Sequence, residues 1–316
     1  MTRIVFMGTA ELACASLRAL VKERASLDAE VVAVVTQPDR PKGRDLKPQP
    51  SFVKQAALEL GLPVLQPERA RNESFIAELR ALRSDLIVVV AYGQILPPAI
   101  LDLPHHGCLN VHTSLLPKYR GAAPIQWAIA NGDAETGVTI MKMDPGLDTG
   151  PILAAEATPI TAVDDAVALH NRLAQLGAAL LVRTIFDHTA GRIVPQTQPV
   201  EGASYARKVT KEDGRLDWTQ PAGVLWNHHR AFTPWPGSYT FLPGAEKNRL
   251  LKVCRMEPAA VTGHPGEILA ADKGGIVVGC AGGALRLVEV QREGSRRLSV
   301  AEFLAGFPLQ PAQRFG

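Results

Sequence analysis

The sequence predicts an α/β protein with two domains: a Rossmann-like, mostly parallel sheet at the N-terminal end and a small OB-like β-barrel after it. Three observations predict this fold class. Short β-branched runs alternate with helical patterns through residues 1–160, and closely spaced strand-like runs with glycine turns fill the last third of the chain. The chain has 316 residues, of which 46% are hydrophobic, so it can fill more than one core.

Strand-like runs in the N-terminal part are joined by helical patterns, which is typical of parallel strands with crossover helices. In chain order these runs are "RIVFMG", "EVVAVVT", "LPVLQ", "DLIVVVAYG", "CLNVH" and "GVTIMKM". A helix is predicted after the first run, because apolar residues from Leu12 to Leu20 recur at helical spacing and Thr9 is available as an N-cap. Gly8 is the only glycine of this first turn, whereas a dinucleotide fingerprint requires three, so a nicotinamide cofactor is disfavoured.

The domain boundary is predicted after a long helix at residues 163–187. The segment that follows mixes glycine, proline and polar residues without periodicity, so we assign 1–189 to the first domain, 190–206 to a linker and 207–316 to the second domain. In the second domain one helix-like stretch, "QPAGVLWNHHRAF", precedes the strand candidates "GSYTFL", "RLLKVCRM", "GEILAA", "GGIVVGC" and "ALRLVEV". Short strands at this spacing predict the small barrel.

The formal net charge of +3 is unevenly distributed along the chain. From residue 204 onward, 15 Lys and Arg residues stand against 10 Asp and Glu residues, a local excess of +5, while the preceding part carries −2. The basic excess therefore lies in the C-terminal third.

Cysteine and histidine usage argues against a metal site. The four cysteines are scattered, with no CxxC pair and no nearby Cys/His array, which disfavours structural zinc and a disulfide framework. His105 and His106 belong to no HExxH motif, so we expect no metal. The start "MTRIVFMGTA" runs directly into a strand, and no apolar run reaches the roughly 18 residues of a membrane helix. We expect a cytoplasmic protein.

The run "CLNVH" carries an amide and an imidazole at its end. Because strand side chains alternate, Cys108, Asn110 and His112 share one face, and the carboxyl ends of parallel strands border ligand crevices. Asn and His donors suit an oxyanion that forms when a nucleophile attacks a carbonyl. The later loop "MDPGLDTG" adds Asp144 and Asp148, and spacing alone does not choose between these carboxylates.

Residues 106–153 closely resemble the methionyl-tRNA formyltransferases, within the wider family of 10-formyltetrahydrofolate-dependent formyltransferases. The N-x-H-x-S-L-L-P string followed by D-x-G-x-D-T-G is highly specific. Four further stretches look like the family, so the resemblance covers nearly the whole chain: "TQPDRPKGR", "VVVAYGQILP", "KEDGRLDW" and "RAFTPWPGSY".

The resemblance implies transfer of a formyl group from 10-formyltetrahydrofolate to the α-amino group of methionyl-initiator tRNA, a step of translation initiation. By analogy with the family, Asn110 and protonated His112 hold the formyl oxygen. Asp148 tunes His112 and helps relay the proton from the attacking amine toward the folate nitrogen. The implied reaction requires neither a metal nor a covalent intermediate.

The resemblance also implies the folate contacts. In the family, the segment matching Ser114, Leu115, Leu116 and Pro117 contacts the folate, and the segment matching Gln94, Ile95 and Leu96 lines the pterin pocket. The alternative for the apolar members of both segments is ordinary core packing.

The segment 36–50 is predicted to be a surface loop, which is either a solvated connection or an arm that binds tRNA. It carries Arg40, Lys42, Arg44 and Lys47 against only two acidic residues, and basic side chains neutralise phosphate. In the family the corresponding loop enters the tRNA acceptor end, and Arg44 falls at its key arginine. The second domain, which includes Lys208, is also predicted to bind tRNA, because OB-like barrels bind nucleic acid and this part of the chain carries the basic excess. The alternative is that these side chains are solvated.

Three alternatives to this function remain: a formyltransferase acting on an amino-sugar nucleotide, a 10-formyltetrahydrofolate hydrolase module, and a noncatalytic RNA-binding protein. Thr113 departs from the family pattern, in which glycine or alanine is usual, but alternation points it away from Asn110 and His112. A monomer is expected by analogy.

Overall fold

The computed structural model describes residues 1–42, 47–244 and 250–316. Its strands are β1 Thr2–Gly8, β2 Ala29–Val35, β3 Arg40–Lys42, β4 Lys47–Gln49, β5 Val64–Leu65, β6 Leu86–Val90, β7 Cys108–His112, β8 Arg120–Gly121, β9 Glu135–Lys142, β10 Ile152–Pro159, β11 Tyr205–Ala206, β12 Ser238–Phe241, β13 Leu250–Ala259, β14 Ile268–Asp272, β15 Gly275–Cys280, β16 Gly283–Arg292 and β17 Leu298–Ser299. Its α-helices are α1 Leu12–Lys22, α2 Phe52–Glu59, α3 Glu73–Ala81, α4 Pro98–Leu101, α5 Pro124–Ala130, α6 Ala166–Thr189, α7 Ala222–Phe232 and α8 Val300–Gly306.

The described chain divides into two compact units. The first comprises Met1–Pro124, Glu135–Pro159 and Leu169–Ala206, and the second comprises Ile125–Ala134, Ile160–Ala168 and Arg207–Gly316. The domain boundaries expected from the sequence, at 189/190 and 206/207, stay a prediction.

The first unit contains a seven-stranded sheet in the order β10-β9-β7-β6-β1-β2-β5. Five adjacent strands of this sheet pair in parallel, in the order β7-β6-β1-β2-β5. This confirms the mostly parallel Rossmann-like sheet. The prediction was wrong for "GVTIMKM": this run forms β9, which is antiparallel to β7 and pairs with an antiparallel β10. Alternating runs of apolar residues predict strands but do not fix their direction.

The central strands form because they are buried on both faces. All five residues of β6, "LIVVV", are buried, and this continuous apolar run packs under helices such as α3 and α4. Helix α1 begins at Leu12 without a side-chain cap, and Thr9 instead donates its hydroxyl to the carbonyl of Tyr92 at 2.9 Å. The predicted N-cap role of Thr9 was therefore wrong, because the hydroxyl joins two strand ends.

The topology brings two loops to one edge of the sheet. Strands β6 and β7 are parallel neighbours, so the segments 91–97 and 113–117, which follow them, leave at the same edge. The strand order reverses between β1 and β6, and such switch points are where open α/β sheets bind ligands.

The second unit is built around an antiparallel sheet in the order β12-β13-β16-β15-β14, with β17 added beside β16. Every strand candidate predicted for this part forms a strand, and "QPAGVLWNHHRAF" forms α7. Among the described residues no ladder joins β12 to β14, so the hydrogen-bonded path of the predicted barrel stays open. Its core gathers apolar side chains from the sheet, α7 and α8, including Trp218, Leu251 and Phe303.

The predicted loop 36–50 contains the short antiparallel strands β3 and β4, paired from Arg40 opposite Gln49 to Lys42 opposite Lys47.

In the part of the chain that the structure describes, no helix is both long and apolar enough to span a membrane.

Candidate active site

Asn110 and His112 lie on one side of β7, as strand alternation predicts. The other residues of β7 are buried, and Asn110 alone is partly exposed. His112 is 6% exposed, so its ring is largely shielded from bulk water. The strand thus presents an accessible amide next to a shielded imidazole.

The two ring nitrogens of His112 face different partners. Nε2 lies 2.9 Å from the carbonyl oxygen of Tyr119, and because a carbonyl only accepts, Nε2 carries the hydrogen. Nδ1 lies 3.7 Å from Oδ2 of Asp148, which is longer than a hydrogen bond but within range of strong charge attraction when the ring is protonated. Nδ1 is therefore the nitrogen that faces the carboxylate.

Both carboxylate oxygens of Asp148 are oriented by donors. Nδ2 of Asn110 donates to Oδ1 at 3.3 Å, and the main-chain N–H of Gly121 donates to Oδ2 at 2.8 Å. The side chain of Asp148 is 12% exposed. The structure therefore brings Asn110, His112 and Asp148 together.

Two backbone conformations at this site are restricted. Asp148 has φ of 52°, a left-handed conformation that costs a residue other than glycine about 1–2 kcal/mol. Gly121 has φ of 109°, and a Cβ atom there would stand 2.6 Å from the ring of Tyr205 and 2.8 Å from the carbonyl oxygen of Ala206. Only glycine fits where its N–H meets the carboxylate.

Asp144, the other carboxylate of this loop, has a different environment. Its Oδ1 accepts the main-chain N–H of Gly146 at 3.0 Å and the hydroxyl of Thr149 at 2.7 Å. These bonds close a turn within the loop. The geometry distinguishes the two carboxylates: Asp148 contacts Asn110, whereas Asp144 stabilises the turn. The catalytic role of Asp148 stays a prediction.

The direction of β9 explains how the loop reaches the site. Asn110 lies opposite Met141 in an antiparallel pair, so the loop 143–151 begins at the edge of the sheet where β7 starts. The loop then doubles back, which brings Asp148 within hydrogen-bond distance of Asn110.

The loop after β7 is fixed to β9 by a buried hydroxyl. The hydroxyl of Thr139 donates to the carbonyl oxygen of Ser114 at 2.7 Å. The hydroxyl oxygen of Thr139 also accepts the main-chain N–H of Leu116 at 3.1 Å. The hydroxyl of Ser114 donates to the carbonyl of Lys118 at 2.6 Å. The hydroxyl of Ser114 thus has its hydrogen engaged with the main chain, and its folate contact stays a prediction.

The other side chains predicted to contact folate differ in accessibility. Ile95 is 83% exposed. Leu115 and Pro117 are half-buried, whereas Leu96 and Leu116 are buried. The accessible apolar surface at this edge is thus supplied by Ile95, Leu115 and Pro117.

Gln94 is engaged with the main chain of a neighbouring segment. Its Oε1 accepts the N–H of Ala70 at 2.7 Å and its Nε2 donates to the carbonyl of Glu68 at 3.2 Å. These bonds fix the loop 91–97 to the segment before α3.

Gln198 and Arg120 lie near the carboxylate but are not predicted from the sequence. Gln198 lies in the predicted linker, yet its side chain is buried and its Nε2 donates to the carbonyl of Asp148 at 2.9 Å. Arg120 donates to Oε1 of Gln198. A single glutamine in a stretch without periodicity gives no signal from which this contact is predicted.

The structure describes the side chains of only some of the predicted tRNA-binding residues. Arg40 and Lys208 are exposed, and Arg40 donates to Oε1 of Gln37 at 3.4 Å. Arg44 lies outside the described residues, as do the side chains of Lys42 and Lys47.

The base of the arm 36–50 is tied to the sheet. Asp39 accepts Nζ of Lys54 and Nε2 of Gln66, each at 2.7 Å. The hydrogen bond from Lys54 holds the pKa of the Asp39 carboxyl below its usual value. The arm therefore leaves the sheet from a fixed point.

The histidines considered for metal binding pack against another histidine. The ring centroids of His105 and His106 lie 5.0 Å apart, those of His106 and His188 lie 6.0 Å apart, and Nε2 of His188 lies 2.9 Å from the carbonyl oxygen of His106. Within residues 1–42, 47–244 and 250–316, no group of three or more His, Cys, Asp or Glu side chains is arranged to hold a metal ion.

Burial raises the pKa of the Cys108 thiol to about 12, so this neighbour of Asn110 is a poor nucleophile.

Two grooves open beside Arg215 in the second unit, with cavity volumes of about 470 and 430 Å³. One is lined by aromatic and polar side chains including Trp218 and Phe315, the other by Phe241 and Arg314.

Comparison with known proteins covers both parts of the chain. A family model described as "Formyl transferase" matches residues 2–185, and one described as "Formyl transferase, C-terminal domain" matches residues 208–308. The methionyl-tRNA formyltransferase of Geobacter sulfurreducens is 52% identical over 314 residues, covering 99% of this chain and 96% of the relative.

Solved structures share the fold at low identity. WlaRD, a sugar 3N-formyl transferase, matches with a TM-score of 0.65 and 19% identity over 94% of this chain and 99% of that one. HypX from Aquifex aeolicus in complex with tetrahydrofolic acid matches with a TM-score of 0.62 and 17% identity over 96% of this chain, which spans 47% of HypX. The family models and the full-length relative establish that the chain belongs to the formyl transferase family.

Proposed function

We propose that this chain transfers the formyl group of 10-formyltetrahydrofolate to the α-amino group of methionine esterified to initiator tRNA, a one-carbon step that supports translation initiation. The convergence of Asn110, His112 and Asp148 at the end of β7 carries the proposal. The relative from Geobacter sulfurreducens, named for this activity and matched over 99% of the chain, supports the choice of substrate.

The reaction begins when the amine nitrogen attacks the formyl carbon. A C–N bond forms, and the electron pair of the carbonyl moves onto the formyl oxygen. The amide nitrogen of Asn110 has two hydrogens, and Asp148 takes one, so the other is available to that oxygen. Protonated His112 supplies positive charge beside it.

The proton leaves the attacking amine as the tetrahedral intermediate forms. The carboxylate of Asp148 accepts it, directly or through water, and His112 passes a proton to the folate nitrogen as the old C–N bond breaks. Asp148 and Nδ1 of His112, 3.7 Å apart, form the relay. Tetrahydrofolate and formylmethionyl-tRNA are the products, so atoms and charges balance.

The residues at the edge of the sheet fit a flat folate ring. Exposed Ile95 and half-buried Leu115 and Pro117 offer apolar contact area, and the adjoining loops are fixed by the bonds of Gln94 and Thr139. Rigid loops reduce the ordering cost of binding. We propose that Gln94, Leu96, Ser114 and Leu116 shape this site by positioning its main chain. The tetrahydrofolate bound by HypX is consistent with folate on this fold.

We propose that tRNA engages the arm 36–50 and the second unit. Exposed Arg40 and Lys208, together with Lys42, Arg44 and Lys47, supply positive charge for phosphates. A cytoplasmic monomer is the form in which we expect the enzyme to meet its tRNA.

One assay distinguishes this function from its alternatives. The protein is incubated with 10-formyltetrahydrofolate and methionyl-initiator tRNA, with a dTDP-linked amino sugar, or with neither acceptor. Formylmethionyl-tRNA in the first reaction supports the proposal. Formyl transfer to the sugar alone supports a sugar formyltransferase, the activity for which WlaRD is named. Equal formate release in all three reactions supports a hydrolase.

A further inference from the structure

Gln198 is a buried amide that bonds three parts of the first unit. It is 7% exposed, and its Nε2 donates to the carbonyl of Asp148 at 2.9 Å and to the carbonyl of Gly150 at 2.7 Å. Both hydrogens of the amide nitrogen are thus used on the loop that carries the catalytic carboxylate.

Arg120 determines which way the amide of Gln198 points. Its Nε and Nη2 donate to Oε1 of Gln198 at 3.1 and 2.7 Å. A guanidinium only donates, so it can bond only the oxygen end of the amide, and this turns the nitrogen end toward Asp148. Two bonds to a charged group are also stronger than neutral ones.

The loop needs this support because Asp148 adopts a left-handed conformation. Its φ of 52° is unfavourable for aspartate, and such residues persist when their surroundings fix them. Gln198 holds the two carbonyls on either side of Thr149, at Asp148 and Gly150. A relaxed backbone would carry the carboxylate away from Asn110 and from Nδ1 of His112.

The bonds continue into the loop that donates to the carboxylate. Arg120 directly precedes Gly121, whose N–H reaches Oδ2 of Asp148 at 2.8 Å. The Arg120–Gln198 pair therefore connects both backbone segments that determine where the carboxylate lies.

We propose that Gln198 is a positioning residue for formyl transfer: it holds the backbone of Asp148 so that the carboxylate faces His112, and Arg120 fixes the orientation of its amide. The inference rests on the proposed function and adds to it a segment, 190–206, that the sequence assigns to a linker. Gln198 acts through Asp148 and touches no reacting atom.

The test compares Gln198→Glu with the full-length wild type. Glutamate keeps the size of the side chain and can still accept from Arg120, but it cannot donate to the two carbonyls and places negative charge beside them. We expect kcat for methionyl-initiator tRNA to fall at least about tenfold and up to about a hundredfold, since small misplacements of catalytic groups have effects of this size. The KM values for tRNA and for 10-formyltetrahydrofolate should stay within about twofold, because neither substrate contact is removed.

Gln196→Glu is the matched control. Gln196 lies two residues away in the same segment, is exposed, and bonds to Ile152 through its main chain only. It should retain wild-type kcat, which separates loss of the Gln198 donors from added charge in the segment.

Arg120→Met provides a second test that does not depend on Gln198→Glu folding. If Arg120 acts by orienting Gln198, Arg120→Met lowers kcat in the wild type and has no further effect in a Gln198→Met background. Normal kcat in either single Gln198 variant, a rise in KM with unchanged kcat, or additive effects of the two Met substitutions would overturn the inference. Absence of product with the wild type would instead overturn the proposed function.

Discussion

Nδ1 of His112 lies 3.7 Å from Oδ2 of Asp148, while Nε2 of the same ring is bonded to the carbonyl of Tyr119. The imidazole therefore has one nitrogen fixed by the main chain and one that faces a carboxylate. Asp148→Asn removes the negative charge from this pair and leaves the size of the side chain unchanged. We expect kcat to fall about 10²- to 10⁴-fold, as for loss of a group that moves protons, with the KM values little changed. Steady-state kinetics on methionyl-initiator tRNA measure this.

Asp144→Asn is the control for that substitution, since Asp144 lies on the same loop. Its Oδ1 only accepts hydrogen bonds that close a turn, and an asparagine oxygen accepts them equally well. Its turnover should stay near that of the wild type. A loss as large as that of Asp148→Asn would contradict the assignment of the catalytic carboxylate.

Asn110→Ala removes two interactions at once. It deletes the donor proposed for the formyl oxygen and the bond to Oδ1 of Asp148. We expect kcat to fall about 10²- to 10³-fold, the usual effect of losing one oxyanion donor. Thr113→Ala should retain activity, because alternation predicts that Thr113 points away from Asn110 and His112. Near-normal turnover of the Asn110 variant would exclude the proposed role of Asn110.

The parts of the site that the sequence predicts are those governed by local periodicity. Alternation along β7 places Asn110 and His112 on one side, and the structure agrees. Short strand-like runs with glycine turns likewise predict the strands of the second unit, whose apolar residues face one core. Both inferences depend only on neighbouring residues.

The parts that the sequence leaves open depend on contacts between distant residues. Which of Asp144 and Asp148 contacts Asn110 depends on where β9 ends and on the path of the loop after it, which no run of apolar residues encodes. Gln198 joins the site from 50 residues beyond Asp148 along the chain. Its segment has no hydrophobic periodicity because it is held by individual hydrogen bonds.

Arg44 is predicted to act on tRNA and not on chemistry. Arg44→Ala removes one positive charge from the arm 36–50, whose base is fixed through Asp39 and Lys54. We expect KM for methionyl-initiator tRNA to rise and KM for 10-formyltetrahydrofolate to stay unchanged, with a weaker dependence of tRNA binding on salt. Arg24→Ala, in the first unit but outside the arm, serves as the charge control. Unchanged kinetics for Arg44→Ala would contradict its role.

Tyr92→Phe is expected to stabilise the first unit or leave it unchanged. The Tyr92 side chain is buried, its hydroxyl has no hydrogen-bond partner among the described residues, and burial raises its pKa to about 12. An unsatisfied buried hydroxyl costs about 1–3 kcal/mol, so removing it should raise the free energy of unfolding. Urea denaturation measures this, with exposed Tyr205→Phe as the control. Destabilisation by more than about 1 kcal/mol would show that the hydroxyl has a partner, such as bound water.

His229 should make the second unit sensitive to acid. Burial lowers the pKa of His229 from 6.5 to about 4, and its Nδ1 lies 2.9 Å from the hydroxyl oxygen of Ser238. Because the folded state favours the neutral ring, the stabilisation is present above the unfolded pKa of 6.5 and is lost as the pH falls toward 4. A pKa difference of this size between the folded and unfolded states corresponds to roughly 3 kcal/mol of stability.

We therefore expect the free energy of unfolding to decrease between pH 7 and pH ~4.5, and to decrease less in His229→Gln, which cannot titrate. The comparison is informative in this window because the lowered pKa values of Asp213 and Glu302, both about 2, affect stability mainly at lower pH. Parallel denaturation curves for the two proteins at both pH values would refute the assignment of this acid sensitivity to His229.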